Sequence, residues 1–340
     1  MQRPASLRKS ASVFTASVLA AAMLAACGGG GSAAQSSSAA AIDNATATIY
    51  AANATQIGSD TTSVADGAVL AAQAMIAAGA GASASGRGDA LAAGGAQPLL
   101  ASTRPCPGGG SATVSITGGT PPSEANGQLD TGEVYQVTFA ACTGAAGIAQ
   151  LDGTLAMTVL SASGDSANGA LDLAITATQL SLTLPSGGAT LDGSSERQYS
   201  VSTDPDGTVH VSSHFVSPSL TLATHYFARS STFTLSNADI LRTATLVGGV
   251  LQTSTINGSH TLTATLPNAT FSYSVATSGG VTYAADGTPT SGLWTITLAQ
   301  AIVTVSVANG VVTVTIDRNK DGTIDSTFTL PVVQLVAAAG

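Results

Sequence analysis

Val303-Thr304-Val305-Ser306-Val307-Ala308-Asn309-Gly310-Val311-Val312-Thr313-Val314-Thr315-Ile316 decides the fold class of this chain. Apolar and polar residues alternate on both sides of Asn309-Gly310: Val303, Val305 and Val307 on one arm, Val312, Val314 and Ile316 on the other. A period of two puts every second side chain on the same face of an extended strand. Asn-Gly supplies the positive-φ pair that a two-residue hairpin requires. The stretch reads as a β-hairpin with one apolar face and one Ser/Thr face.

The same habit extends upstream to about Ser111. Val114 and Ile116 alternate with Ser and Thr, as do Tyr135, Val137 and Phe139, then Leu155, Met157 and Val159. Val209 and Val211, Phe271, Tyr273 and Val275, and Trp294, Ile296 and Leu298 continue the pattern. Turn signals separate the runs at Pro185-Ser186-Gly187, Asp204-Pro205-Asp206-Gly207, Gly279-Gly280 and Asp286-Gly287. About a dozen or more strands joined by short turns predict an all-β domain over residues 105–336, either a large antiparallel meander sheet or a sandwich. In one run the parity flips: Leu171, Leu173, Ile175 and Ala177 are odd, whereas Leu180, Leu182 and Leu184 are even. A strand cannot turn its apolar face over in mid-run, so a bulge or a sheet change is expected near Thr178-Gln179. A weak repeat, Leu151-Asp152-Gly153-Thr154, Leu191-Asp192-Gly193-Ser194 and Ile256-Asn257-Gly258-Ser259, reads as related hairpins in which Gly permits a bulge or a close backbone approach.

The N-terminal third is built differently. Arg3, Arg8 and Lys9 precede an uncharged, mostly apolar run from about Ala11 to Ala26, the layout of a secretory signal over residues 1–26. The run is shorter than the roughly 20 apolar residues a comfortable span needs. Leu24-Ala25-Ala26-Cys27 closes it and resembles the lipobox of bacterial lipoproteins. That resemblance implies removal of the signal, acylation of Cys27 and an N-terminal lipid anchor. Gly28 rather than Asp after the cysteine implies the outer membrane, with the chain facing the periplasm or the surface. Residues 27–62, poor in large apolar side chains, are expected to be a flexible tether. A short helix is expected within 63–79, with Ser63 as N-cap and Ala65, Ala68, Val69, Ala72, Met75 and Ile76 on one face. Residues 80–104 return to a Gly/Ala/Ser-rich linker.

Charge narrows the partners. The chain carries 10 basic and 19 acidic side chains, and loss of the signal would leave seven basic ones. Nucleic acid needs clustered Lys and Arg to neutralise phosphates, and this balance argues against it. Charged residues are only 9% of the chain, so its polar surface must come from Ser, Thr, Asn and Gly. Low aromatic content, together with the lipobox, argues against a membrane β-barrel.

With Cys27 committed to lipid, Cys106 and Cys142 remain. In an exported chain they are expected to pair, closing a loop of about 37 residues worth roughly 3.8 kcal/mol in the chain-entropy model; the alternative is two buried free thiols. The ordered series Cys106-Pro107-Gly108-Gly109, Gly132 to Phe139, Cys142 and Leu151-Asp152-Gly153-Thr154 resembles a pattern in uncharacterised proteobacterial exported β-rich lipoproteins. It covers roughly residues 104–160 and implies a β fold with a stapled first hairpin.

One constellation carries recognisable site chemistry. Asp317, Asn319, Asp321, Thr323 and Asp325 occupy positions 1, 3, 5, 7 and 9 of a loop with Gly322 at position 6. Calcium wants six to eight hard oxygens, and short side chains at alternate positions of a tight turn converge on one point. The loop resembles that of an EF-hand but has Phe328 where the bidentate Glu would stand, and its flanks read as strands. A solvated hairpin in which Asp321-Gly322 makes the turn is the expectation, and a structural calcium the alternative. His210 and His214 share a strand face and His225 lies beyond, but no recognisable zinc spacing is present. No nucleophile elbow, phosphate loop or dinucleotide fingerprint occurs, so a non-enzymatic role without a resident cofactor is expected. The reading is a lipid-anchored envelope protein with a structural or binding role toward an envelope protein or small molecule. A carrier or chaperone of apolar ligands is the first alternative, and a hydrolase near His210 and His214 the second.

Overall fold

The computed structural model describes residues 42–48, 50–52, 54, 102–118, 130–143, 150–165, 167–184, 187–226, 229–267 and 269–339. The signal over 1–26, Cys27, the helix expected over 63–79 and the linker up to residue 101 lie outside these described residues. Strands follow in chain order: β1 (Ser102–Pro105), β2 (Gly109–Gly118), β3 (Glu133–Thr143), β4 (Gln150–Gly164), β5 (Gly169–Leu184), β6 (Gly187–Thr203) and β7 (Val209–Tyr226). Then come β8 (Arg229–Val247), β9 (Val250–Leu266), β10 (Ala269–Ala284), β11 (Pro289–Leu298), β12 (Ile302–Ala308), β13 (Val311–Asp317) and β14 (Ser326–Pro331). They form one 14-stranded antiparallel sheet in sequential order, the meander rather than the sandwich. Each strand pairs antiparallel with its chain neighbour, and at every join but that from β2 to β3 the connection is too short for a crossover.

Register aligns the alternating residues into one buried face. Trp294 lies opposite Val305, Val305 opposite Val314, and Val114 opposite Val137, which in turn faces Leu155. Trp294, Ile296, Val303, Val305, Val314 and Ile316 are all essentially inaccessible. Burying each such side chain is worth about 1.5–3 kcal/mol. The other face is stitched by hydroxyls: Thr103 to Thr113 (2.8 Å), Thr261 to Ser274 (2.8 Å) and Thr263 to Ser272 (2.9 Å). Cross-strand pairs of this kind supply about 0.2–1 kcal/mol each, so the sheet needs few charges.

The parity flip in β5 is a bulge. Gln179 has φ 48°, and the β5–β6 register shifts between Ala177 and Leu180. Asp192 of β6 holds it, accepting from the Gln179 backbone N–H (3.0 Å) and side-chain amide (2.7 Å). Asp152 does the same for Ala141 of β3, accepting its N–H at 2.6 Å. Register breaks recur in most of the pairs from β2–β3 to β10–β11, and those at Gln179, Asn237 and Gly258 fall at one level to form a crease. The Leu-Asp-Gly repeat is therefore a crease signature. Gly279-Gly280, expected to separate two strands, lies inside β10 at a register break between Thr277 and Val281. Three other turns match expectation: Asn309 (φ 52°) and Gly310 (φ 75°) join β12 to β13, Gly207 N–H closes on Asp204 O at 2.9 Å, and Gly287 N–H on Ala284 O at 3.0 Å, while Pro185-Ser186 lies outside the described residues.

Two helical segments depart from the sequence reading. Within the stretch expected as tether, residues 44–48 and 50–52 are helical (α1). Asp43 caps α1, its Oδ1 accepting from Thr46 N–H at 2.7 Å, and this holds its carboxyl below the usual range. Ala47 and Ala51, one turn apart, and Ala54 are buried in the same cluster as Trp294 and Tyr273, and Tyr50 meets Tyr273 edge-on at 5.4 Å. A composition argument counts alanines as too small to bury, but a stripe of them lets a helix lie flush on a sheet. After Pro331, residues expected to continue the β domain form α2 (Val332–Ala339), which buries Val332 and Leu335. Among the described residues, no helix is long and apolar enough to cross a membrane.

Candidate functional site

β13 and β14 present the loop from Asp317 to Asp325, and the strands match the flanks expected from sequence. Asp325 N–H donates to Ile316 O at 2.8 Å and closes its base. Inside, Asp317 Oδ2 accepts from Gly322 N–H (3.0 Å) and Asp321 Oδ1 from Thr323 N–H (2.7 Å). Asn319 Nδ2 donates to Asp321 Oδ2 (2.9 Å), and Asp325 Oδ2 accepts from Arg318 N–H (2.6 Å). The Thr323 amide above all keeps the Asp321 carboxyl ionised to lower pH than usual. Asp317 is only 5% exposed, and its Oδ1 is buried without a partner. Among the described residues, no three His, Cys, Asp or Glu side chains converge as a metal cage would. Asp317 and Asp321 flank the turn, while Asp325 is drawn toward the Arg318 amide. Phe328 stands where a twelfth ligand would, because it pairs with Val314 and packs against the core.

The loop also holds α1. Arg318 Nε donates to Ile42 O at 2.9 Å, and Ser326 Oγ donates to Asn44 Oδ1 at 3.1 Å.

The histidines do not assemble a shared site. His210 and His214 lie on β7, but His210 Nε2 meets Asp204 (2.9 Å) and His214 Nε2 meets Asp239 (2.7 Å). His214 Nδ1 faces Gln198 Oε1 at 3.4 Å, so both ring nitrogens are engaged and neither is left for a serine. His225 Nδ1 pairs with Ser230 Oγ at 2.9 Å. Nearby, burial first and Glu196 second push the Asp172 carboxyl upward. Cys106 and Cys142 are disulfide-bonded, with Cα atoms 5.4 Å apart, tying the turn after β1 to the end of β3.

Two buried ionisable side chains were not singled out from sequence. Glu133 is fully buried, its Oε2 accepting from Tyr135 Oη–H (2.6 Å) and Asp130 N–H (2.9 Å), while Oε1 has no partner. Burial, and then this carboxylate, push the Tyr135 hydroxyl well above its usual range. His260 of β9 is 5% exposed and lines a cavity of about 30 Å³ with Ile256, Val275, Tyr283 and Trp294. Its Nε2 and the Trp294 Nε1 have no partner. Both residues share parity with buried neighbours, Glu133 with Tyr135 and Val137, His260 with Leu262 and Ala264. That was the signal available.

Burial lowers the His260 pKa from 6.5 to about 4. A depressed histidine favours the fold above pH 6.5 and withdraws that support as pH falls toward 4. The unfolded chain takes up the proton first, and by about pH 4 the loss approaches about 3 kcal/mol. Urea melts between pH 7 and 4 are expected to show this limb, and His260→Leu to flatten it. The capped aspartates withdraw their support only from about pH 5 downward, so an unchanged limb between pH 7 and 5 in His260→Leu refutes the assignment.

Comparison with family models, curated proteins and solved structures gives no match for this chain.

Proposed function

We propose that this is an outer-membrane-anchored lipoprotein with a structural or binding role in the cell envelope, its sheet carried outward from a lipidated Cys27. The observation that carries the reading is the Cys106–Cys142 bridge in a chain whose Leu24-Ala25-Ala26-Cys27 resembles a lipobox. Disulfides persist in oxidising compartments, and export to one is what a lipobox accomplishes. A broad Ser/Thr face with few charges suits neutral, hydrogen-bonding contacts with an envelope partner. The His260 cavity has room for about two waters and not for an apolar cargo, so it lends no support to a carrier.

Cys27→Ser is expected to move the protein from the detergent phase to the aqueous phase, or to leave it unprocessed with a larger mass. Several acyl chains at roughly 0.8 kcal/mol per methylene make the wild-type partition nearly complete. Equal partitioning and equal mass of wild type and variant would sink the lipoprotein reading.

A further inference from the structure

We propose that the loop from Asp317 to Asp325 binds a calcium ion and that the bound ion latches α1 onto the sheet. The carrying observation is the Asp317 carboxylate, which is nearly inaccessible, turned into the loop by its bond to Gly322 N–H, and leaves Oδ1 without a partner. A buried anionic oxygen without a donor is costly, and a hard cation is the natural counterpart. Asn319, Asp321 and the Thr323 carbonyl follow at the spacing that surrounds such an ion, with Lys320 at φ 60° and Gly322 at φ 86° making the sharp turn between them. Asp325 need not converge, because the ninth position of such loops commonly acts through water. Held on the Arg318 amide, Asp325 fixes the residue whose guanidinium takes the Ile42 carbonyl. Phe328 supplies no oxygen, so waters complete the shell.

The latch follows from position. Arg318 and Ser326 bracket the loop, and each bonds the start of α1, at Ile42 and Asn44. An ion that rigidifies the loop holds both donors in place. By linkage, a docked α1 in turn raises affinity for the ion.

Calcium titration calorimetry of the full chain, paired with hydrogen exchange of residues 42–54, tests both halves. The expected dissociation constant lies on the order of 10⁻⁴–10⁻³ M, the range of extracellular modules. Saturating calcium is expected to slow exchange in α1 several-fold over chelator while leaving β7 unchanged. Asp321→Asn keeps the acceptor for Thr323 N–H and removes one charge, so it is expected to weaken binding about tenfold or more. Asp317→Asn, also near-isosteric, is expected to do the same, and circular dichroism shows whether each variant folds. Absence of binding up to about 10 mM calcium overturns the site. Binding that leaves α1 exchange unaltered overturns the latch, and undiminished binding in folded Asp321→Asn and Asp317→Asn places the ion elsewhere and overturns the assignment.

Discussion

Gly258→Ala is expected to destabilise the protein by more than about 4 kcal/mol, the exceptional end of the range for single substitutions. Gly258 sits in β9 at φ +147°, where L side chains rarely go. A Cβ there would stand 1.9 Å from the Asp239 carbonyl oxygen and 2.8 Å from Ile240 Cα, both backbone atoms of the adjoining strand. A flexible side chain could swing aside, but a strand paired on both edges cannot. Asp239 and Ile240 follow the β8 bulge at Asn237 (φ 50°), and the β8–β9 register breaks between Ser236 and Asp239. Displacing them would open the crease shared with β7 and β10. Gly310→Ala is the control: at φ +75° an added Cβ meets nothing within 4 Å, so only the left-handed backbone penalty of about 1–2 kcal/mol applies. Urea midpoints of the two variants check the contrast, and similar losses would refute the role of the crease.

Removing the bridge with Cys106→Ser and Cys142→Ser together is expected to cost about 4 kcal/mol, within the range for native disulfides. The sequence separation of 36 spans the connection between β2 and β3, which the bond shortens in the unfolded chain. Cys142 is fully buried, so replacing its sulfur by a hydroxyl adds a polar atom where none is paired. Loss of the bridge should fray β1 and the turn in which Cys106 N–H bonds Gly110 O before it affects β12 and β13. Denaturant melts of wild type with and without reductant should bracket the double variant. Two alkylatable thiols in unreduced, denatured wild type would refute the bond.

The sequence by itself determined what is local. Strand identity follows from period two, and hairpins from Asn309-Gly310 and Asp204-Pro205-Asp206-Gly207, because pleat and turn are settled within a few residues. The parity flip around Gln179 located a bulge or a sheet change, since an apolar face cannot change sides in mid-run, and the pairing of β5 with β6 made it a bulge. The alternation of Asp317, Asn319 and Asp321 ahead of Gly322 marked a tight loop between two strands. Tertiary structure decided the rest. One sheet instead of a sandwich depends on how far the strands run through the crease, and Gly279-Gly280 is a bulge only because β9 and β11 pair with β10 on both sides of it. α1 was hidden because Ala47, Ala51 and Ala54 have value only against a sheet brought from more than 200 residues away in the chain. Glu133 and His260 followed the buried parity, but their isolation depends on which donors the neighbouring strands offer. Periodicity is a property of one segment; burial and the pairing of polar atoms belong to the surfaces that segments form together.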